Sequence, residues 1–262
     1  MLKNLTDLNG FAIHATDGDI GTVDEFFFDD ETWAIRYLTV ETGGWLGGKR
    51  VLISPYSITH TDWKARRLNV SLTRKQVEHS PDIDTHQPVS RQHEAEYLSY
   101  YGYPYYWTGP YMWGPGFYPL GMPVLEPTAA GVTAARVRKE SQDAHLRSSA
   151  GVKGYHIAAS DGEIGHLESY IVEDRTWVIR YIEVATRNWW PGKKVLVSPA
   201  WIDRVSWEEA KVFTGLSREA IQSAPEYTDE MRIGRAFEDK LHSHYGRPPY
   251  WLQDEEQIAA GV

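Results

Sequence analysis

The chain has 262 residues, with 27 Lys or Arg against 36 Asp or Glu, which gives a formal net charge of −9. This acidic balance argues against a general nucleic-acid-binding protein, because phosphate binding requires a basic surface. Cysteine is absent, which excludes disulfides, thiolate metal sites and cysteine nucleophiles. At roughly 150 residues per domain, the length predicts about two domains.

The sequence also contains no obvious targeting segment. The first ten residues lack the apolar core of a secretory signal. No apolar run approaches the roughly 18 to 20 residues that a membrane-spanning helix needs. We therefore expect a soluble, cytoplasmic protein.

Short segments rich in β-branched and aromatic residues open the chain and predict β-strands. They lie at residues 11–15, 26–28, 33–40, 49–54 and 68–71. Asp17-Gly18 is a strong signal for a tight hairpin turn. Five or six short strands joined by tight turns predict a small antiparallel barrel or sandwich.

Two helices are predicted after these strands. Residues 73–76 have the form of a capping box and open a short helix that ends before Pro81. Residues 90–101 predict a second helix, which Gly102 and Pro104 terminate.

The same pattern then occurs a second time. An offset of 144 residues aligns residues 8–107 with 152–251 without a gap, and about a third of the aligned positions are identical. The long period indicates two copies of one domain rather than a short-repeat solenoid. We predict a first repeat with its C-terminal helix at 1–107, a connecting segment at 108–147, a second repeat with its helix at 148–251 and a tail at 252–262.

The connecting segment has two parts. Up to Pro127 it is dense in Gly, Pro, Tyr and Trp, which excludes a helix and a central strand. It is either a flexible linker or an extended strap laid on an aromatic surface, and we favour the strap because exposed aromatic residues reduce solubility. Residues 129–150 are polar and Ala-rich, and predict a weak helix or disorder.

Each repeat places an arginine within an apolar row of its longest strand pattern. Alternation puts Arg36 on one face with Leu38, and Arg180 is its counterpart in the second repeat. A buried arginine needs a carboxylate partner. Asp30 and Asp174 are nearest in sequence, so we predict the structural ion pairs Asp30–Arg36 and Asp174–Arg180, with a functional role as the alternative.

Three segments resemble PRC-barrel domain proteins, which are bacterial relatives of the cytoplasmic domain of the photosynthetic reaction-centre H subunit. In the second repeat these segments are 154–165, 176–181 and 189–199, and the first repeat matches at 17–21 and 32–37. The first repeat departs from the pattern at Gly47, where the second has Pro191, and at Gly43-Gly44 in place of Arg187-Asn188.

The resemblance implies a mainly β chain of two small antiparallel PRC-type barrels in tandem, each followed by short helices. It also implies protein–protein docking rather than chemistry, with a loose association with stress. No catalytic residues, cofactors or metals come with it. The partner would be another protein or a second copy of this chain; docking on a membrane protein is possible, and no nucleic acid is expected.

Motifs for chemistry are weak. Residues 43–50 nearly match a phosphate-binding loop, but Arg50 replaces the Ser or Thr that binds magnesium, and a strand follows where a helix is required. His242 and His244 on a predicted helix point about 200° apart, which makes them a poor metal-ligand pair. We expect no enzymatic activity.

A candidate interaction surface lies at one predicted hairpin tip in each repeat. Trp45 and Lys49 lie at the tip of the first repeat, and Trp189, Trp190 and Lys193 at that of the second. Tryptophan is enriched in binding hot spots, but each could equally fold back to close the end of its own barrel.

Two functions therefore stay open. The first is a non-enzymatic interaction or assembly module. The alternative is a small-ligand sensor or carrier that uses a pocket between the repeats, lined by Tyr and Trp from residues 97–118.

Overall fold

The computed structural model of the protein describes residues 1–81, 91–119, 145–186 and 193–252. The fold is mainly β, as predicted, and contains two separate sheets. The strands of the N-terminal half are β1 (Leu2–Asn4), β2 (Ala12–Ala15), β3 (Gly18–Asp29), β4 (Ile35–Glu41), β5 (Arg50–Ile53), β6 (Ile58–Asp62) and β7 (Arg67–Val70). Those of the C-terminal half are β8 (Leu146–Ser148), β9 (His156–Ala159), β10 (Gly162–Glu173), β11 (Ile179–Ala185), β12 (Lys194–Val197), β13 (Ile202–Ser206), β14 (Lys211–Thr214) and β15 (Glu226–Tyr227).

The helices are short, and four of the five follow the main strands of their half. They are α1 (Arg74–Glu78), α2 (Arg91–Tyr101), α3 (Ser149–Val152), α4 (Arg218–Gln222) and α5 (Arg235–Tyr245). Strands β1–β7 and helices α1 and α2 each have a counterpart 144 residues later, with the same bounds at that offset. The duplication seen in the sequence is thus repeated element by element in the secondary structure.

Local sequence signals explain where several elements begin. Gly18 has a φ of +140°, which the tight turn between β2 and β3 requires and which side chains disfavour. Thr73 and Gln76 form the predicted capping box: the Thr73 hydroxyl accepts from the Gln76 amide at 3.2 Å, and the Thr73 amide donates to Gln76 Oε1 at 2.8 Å. Ser217 caps α4 by accepting from the amide of Ala220 at 3.1 Å, without the reciprocal side-chain bond of a capping box.

The chain divides into two compact units that do not follow the predicted repeat boundaries. One unit contains residues 6–151 and 174–178; the other contains 1–5, 152–173 and 179–262. The residues that precede each repeat are therefore part of the unit built on the other repeat. Strand β8 pairs with β3 in the first unit, and β1 pairs with β10 in the second.

The two pairings occupy equivalent positions. Arg147 lies opposite Phe28, and Lys3 lies opposite Val172. Each partner of one pair is related to a partner of the other by the 144-residue offset. We call β1 and β8 the exchanged strands, since each completes the sheet of the repeat that it does not precede.

Two details of the predicted topology are corrected. Over the described residues neither sheet closes into a barrel: the strand orders are β5-β4-β3-β2-β7-β6 and β13-β14-β9-β10-β11-β12-β15. The prediction assumed that the strands of one repeat pair only among themselves, whereas β3 and β10 also take up an exchanged strand. The sheets are also not wholly antiparallel, because β2 pairs with β7, and β9 with β14, in parallel.

Candidate functional site: a buried arginine–tyrosine–carboxylate cluster

The most unusual feature of the first unit is a buried arginine in strand β4. Arg36 is 2% exposed. Its guanidinium lies 3.5 Å from Asp29 and donates to the carbonyl of Met112 at 2.8 Å. The ring of Tyr106 covers the guanidinium at 3.7 Å. A charge, a carbonyl and an aromatic face thus replace the water that a buried guanidinium loses.

The carboxylate that pairs with Arg36 lies one residue earlier than predicted. Asp30 instead accepts from Arg147 of the exchanged strand β8 at 2.8 Å. Successive residues point to opposite faces of a strand, so Asp29 at the end of β3 and Asp30 directly after it contact different side chains. Asp29 also accepts from the amides of Glu31 and Thr32, which fixes its carboxylate at the turn.

The second unit places a carboxylate at the same position. Arg180 donates to Glu173 at 2.7 Å, and Glu173 is the counterpart of Asp29. The predicted partner Asp174 is the counterpart of Asp30. Tyr250 lies over the Arg180 guanidinium at 4.1 Å, as Tyr106 lies over Arg36.

A second buried charge, Glu94 on α2, stands beside this arginine. Glu94 is fully buried. Its Oε1 accepts from the hydroxyl of Tyr37 at 3.2 Å and from that of Tyr106 at 2.6 Å. Its Oε2 lies 3.3 Å from both Arg91 and His145. Glu94 therefore connects helix α2, strand β4 and the segments that contain Tyr106 and His145.

Glu238 of α5 holds the same position in the second unit. It accepts from the hydroxyls of Tyr181 at 3.1 Å and Tyr250 at 2.8 Å, and it lies 3.3 Å from Arg235. We call each set a tyrosine–carboxylate cluster: Arg36, Tyr37, Arg91, Glu94 and Tyr106 in the first unit, and Arg180, Tyr181, Arg235, Glu238 and Tyr250 in the second. Sequence reasoning missed these clusters, although all five positions are identical in the two repeats.

Burial keeps the phenols of the clusters neutral. Burial, aided by the charge of Glu94, raises the pKa of Tyr37 well above its ordinary value of 10.0. Burial and the charge of Glu238 raise the pKa of Tyr181 in the same direction. Neutral phenols donate hydrogen bonds to the carboxylates, and the arginines compensate the negative charge. This arrangement stabilises the packing of helix on sheet and presents no activated nucleophile.

A histidine of α5, His242, lies beside the second cluster. In the second unit the Nδ1 of His242 donates to the carbonyl of Pro248, and its Nε2 lies 2.9 Å from the Tyr181 hydroxyl. Burial lowers the pKa of His242 below its ordinary value. His244 of the same helix bonds instead to the carbonyl of Ala220. Within the part of the chain that the structure describes, no group of three or more His, Asp or Glu could hold a metal ion.

Residues 108–119, the described part of the connecting segment, cover the first cluster. Trp113 is 1% exposed, packs edge-on against Tyr56 at 5.0 Å and donates its indole N–H to the carbonyl of Thr176. Its ring also lies 4.8 Å from the Arg36 guanidinium. This part of the segment is a packed strap, while residues 120–144 lie outside the described residues.

The predicted hairpin tips are only partly described. Trp45 folds back: its indole N–H donates to the carbonyl of Ile20, and Arg74 lies over its ring at 4.3 Å. Lys49 is exposed beside it. Lys193 donates to the carbonyl of Gln222. Trp189 and Trp190 lie outside the described residues.

Within the described residues, no helix has the length and apolar character needed to cross a bilayer.

Comparison with models of protein families gives a match. The family model of the PRC-barrel domain matches residues 2–77, which include strands β1–β7. Comparison with curated proteins gives no match. The matched residues include Asp29, Arg36 and Tyr37 of the first unit. The chain therefore contains a PRC-barrel domain at residues 2–77.

Proposed function

We propose that the chain is a non-enzymatic protein-interaction or assembly module built from two PRC-type repeats. The match at residues 2–77 supports the assignment of the first repeat as PRC-type. The 144-residue offset, kept by seven strands and two helices, supports the same assignment for the second. A cytoplasmic location and a role in stress stay predictions.

The observation that carries this proposal is the use of short strands to complete the sheets. Three-residue strands from remote parts of the chain pair with β3 and β10. Addition of a strand to a sheet edge is a common way in which proteins bind extended segments, because main-chain hydrogen bonds supply the affinity. The repeats thus already associate segments that are distant in sequence.

The charged clusters support a non-enzymatic role. Arg36 and Glu94 are buried and held by their own chain. A catalytic group needs access to a substrate and a pKa matched to its task. The clusters hold neutral tyrosines and compensated charges beneath the surface, which is typical of a structural core.

The small-ligand alternative receives no comparable support. Three of the aromatic side chains on which it depended, Tyr97, Tyr106 and Trp113, lie in the core of their own unit and are each at most 5% exposed. Their hydroxyl and indole groups bond to Leu52, Glu94 and Thr176.

The tip at Lys49 is an exposed candidate surface in the first unit. Lys49 also lines a small groove, together with Leu46, Val51, Val77 and Pro81. At the four glycines 43, 44, 47 and 48, nothing lies within 4 Å of the position that a Cβ atom would take. A partner could approach the backbone closely there.

The experiment is quantitative co-purification of the tagged full chain from its native cells, together with light scattering over a range of concentrations. Lys49→Glu should reduce recovery of the partner or of a second copy, whereas Lys64→Glu, at another exposed turn, serves as the matched control. Recovery of no partner, with a monomer at every concentration, would contradict the proposal.

A further inference from the structure

A titratable side chain sits where the exchanged strand β8 begins. His145 directly precedes Leu146 and is 8% exposed. Its Nε2 lies 3.3 Å from Oε2 of the fully buried Glu94. Its backbone carbonyl accepts from the amide of Asp30 at 2.9 Å, which extends the pairing of β8 with β3.

The charges around His145 come from three elements of the described chain. Glu94 and Arg91 lie on α2, Asp29 and Asp30 lie at the end of β3, and Arg147 lies on β8 itself. Arg147 is paired with Asp30 at 2.8 Å, and Arg91 lies 3.3 Å from Glu94. Protonated His145 adds a second cation to Glu94, whereas neutral His145 leaves Arg91 as the remaining cation at that carboxylate.

The other exchanged strand lacks this feature. The counterpart of His145 is Met1, whose thioether does not titrate and whose side chain is 58% exposed. Strand β1 otherwise pairs with β10 in the same register as β8 pairs with β3. The two strands therefore differ in whether a titratable group faces a buried carboxylate at the entry to the strand.

We propose that His145 controls the pairing of strand β8 with the sheet of the first unit. Protonated His145 stabilises this pairing, and neutral His145 weakens it. This goes beyond the proposed interaction function and does not depend on it. The consequence is that the pairing of β8 weakens as His145 loses its proton, whereas β1 has no imidazole at its start.

The direction of the response follows from the surroundings of His145. Burial opposes protonation, but the close carboxylate of Glu94 and the charge of Asp29 outweigh it, so the pKa of His145 is raised above its ordinary value of 6.5. A group whose pKa is raised by folding stabilises the folded state fully below its unfolded pKa. That stabilisation is lost as pH rises from 6.5 through the raised value.

The test is hydrogen exchange of the full chain at several pH values between about 6 and 8, where histidine titrates. Protection factors, which correct for the intrinsic pH dependence of exchange, are compared for the amides of β8 and β1. We expect protection of β8 to fall with rising pH by at most about tenfold per pH unit, because a single proton is released. Protection of β1 should change little.

Two variants distinguish the effect of the His145 charge from a general destabilisation of the unit. His145→Gln cannot become charged, and should give low, pH-independent protection of β8. His145→Lys stays charged throughout this range, and should give high, pH-independent protection. His14→Gln, at an exposed histidine paired with Asp19, should leave the wild-type response unchanged.

The outcomes decide the proposal without depending on any one variant. Protection of β8 that is flat in the wild-type chain, or that falls in parallel with β1, would overturn it. Persistence of the wild-type pH dependence in His145→Gln would overturn it as well. If that variant does not fold, the comparison of β8 with β1 in the wild-type chain still gives the answer.

Discussion

Tyr106 lies over the guanidinium of Arg36 at 3.7 Å, and in the second unit Tyr250 lies over Arg180 at 4.1 Å. In each case the tyrosine hydroxyl donates to a buried glutamate of the helix that follows the strands. One aromatic residue thus contacts both the strand arginine and the helix glutamate of its cluster. This explains why the Tyr-Trp pair at the end of each repeat is kept at the same offset as the strands.

Replacing Arg36 with lysine should destabilise the first unit. Lysine cannot provide the planar fork that contacts Asp29 and Met112, nor stack as well on Tyr106. We expect a loss of about 2–4 kcal/mol in the free energy of unfolding. Arg180→Lys should cost less, because the Glu173 side chain is 24% exposed and Asp29 only 4%. Urea unfolding followed by circular dichroism measures both, and equal losses would contradict the inferred role of burial.

Replacing Glu94 with glutamine should also destabilise the first unit. The amide keeps one acceptor for the tyrosines but leaves Arg91 and protonated His145 without a buried counter-charge, so we expect a loss of about 3 kcal/mol. Glu238→Gln is the matched control, with a smaller loss because Arg235 is 54% exposed and Arg91 only 18%. A Glu94→Gln variant as stable as the wild-type chain would show that the carboxylate charge contributes nothing.

Replacing Gly21 with alanine should be costly for a steric reason. A Cβ atom at this position would lie 1.9 Å from the carbonyl oxygen of Glu41 in the neighbouring strand. We expect a loss of about 3 kcal/mol or failure to fold. Gly44→Ala is the control, because nothing lies within 4 Å of its Cβ; it should change stability by at most about 0.5 kcal/mol. Thermal unfolding compares the two, and a tolerated Gly21→Ala would contradict the close approach of β3 to β4.

Much of this could be predicted from the sequence because the relevant signals are local. The hairpin at Asp17-Gly18 and the capping box at Thr73 depend on neighbouring residues, and both are confirmed. The burial of Arg36 followed from its apolar row. Its partner was misassigned because proximity in sequence does not decide which face of a strand a carboxylate occupies.

The exchanged strands could not be predicted, because a three-residue segment is too short to show a periodic pattern. The partner of each, moreover, lies in the other half of the chain. Glu94 was missed for a different reason: it lies on a predicted helix, where a glutamate is ordinarily exposed. The available signal was the identity of Arg91, Glu94 and Tyr106 with their counterparts in the second repeat.

The buried tyrosines predict the behaviour of the protein in alkali. Burial raises the pKa of Tyr37, Tyr97 and Tyr181 above the ordinary 10.0. Their contribution to stability is therefore fully present below pH 10.0 and is lost as pH rises towards the raised values. Phenolate absorbance should show an early step for exposed tyrosines and a later one that coincides with unfolding. A single step with every tyrosine ionising near pH 10 would contradict the burial of the clusters.

The central structural claim is that each repeat is completed by the strand that precedes the other. Because the chain contains no cysteine, pairs of introduced cysteines report on individual strand pairings. Lys3→Cys should form a disulfide with Val172→Cys, and Arg147→Cys with Phe28→Cys, since these residues lie opposite one another.

The matched controls exchange the partners. Lys3→Cys with Phe28→Cys, and Arg147→Cys with Val172→Cys, test the pairing that would exist if each strand joined its own repeat. Mass spectrometry of the oxidised monomer should find the first two disulfides and neither of the controls. Disulfides in the control pairs, and none in the first two, would contradict strand exchange and with it the account of how both units are built.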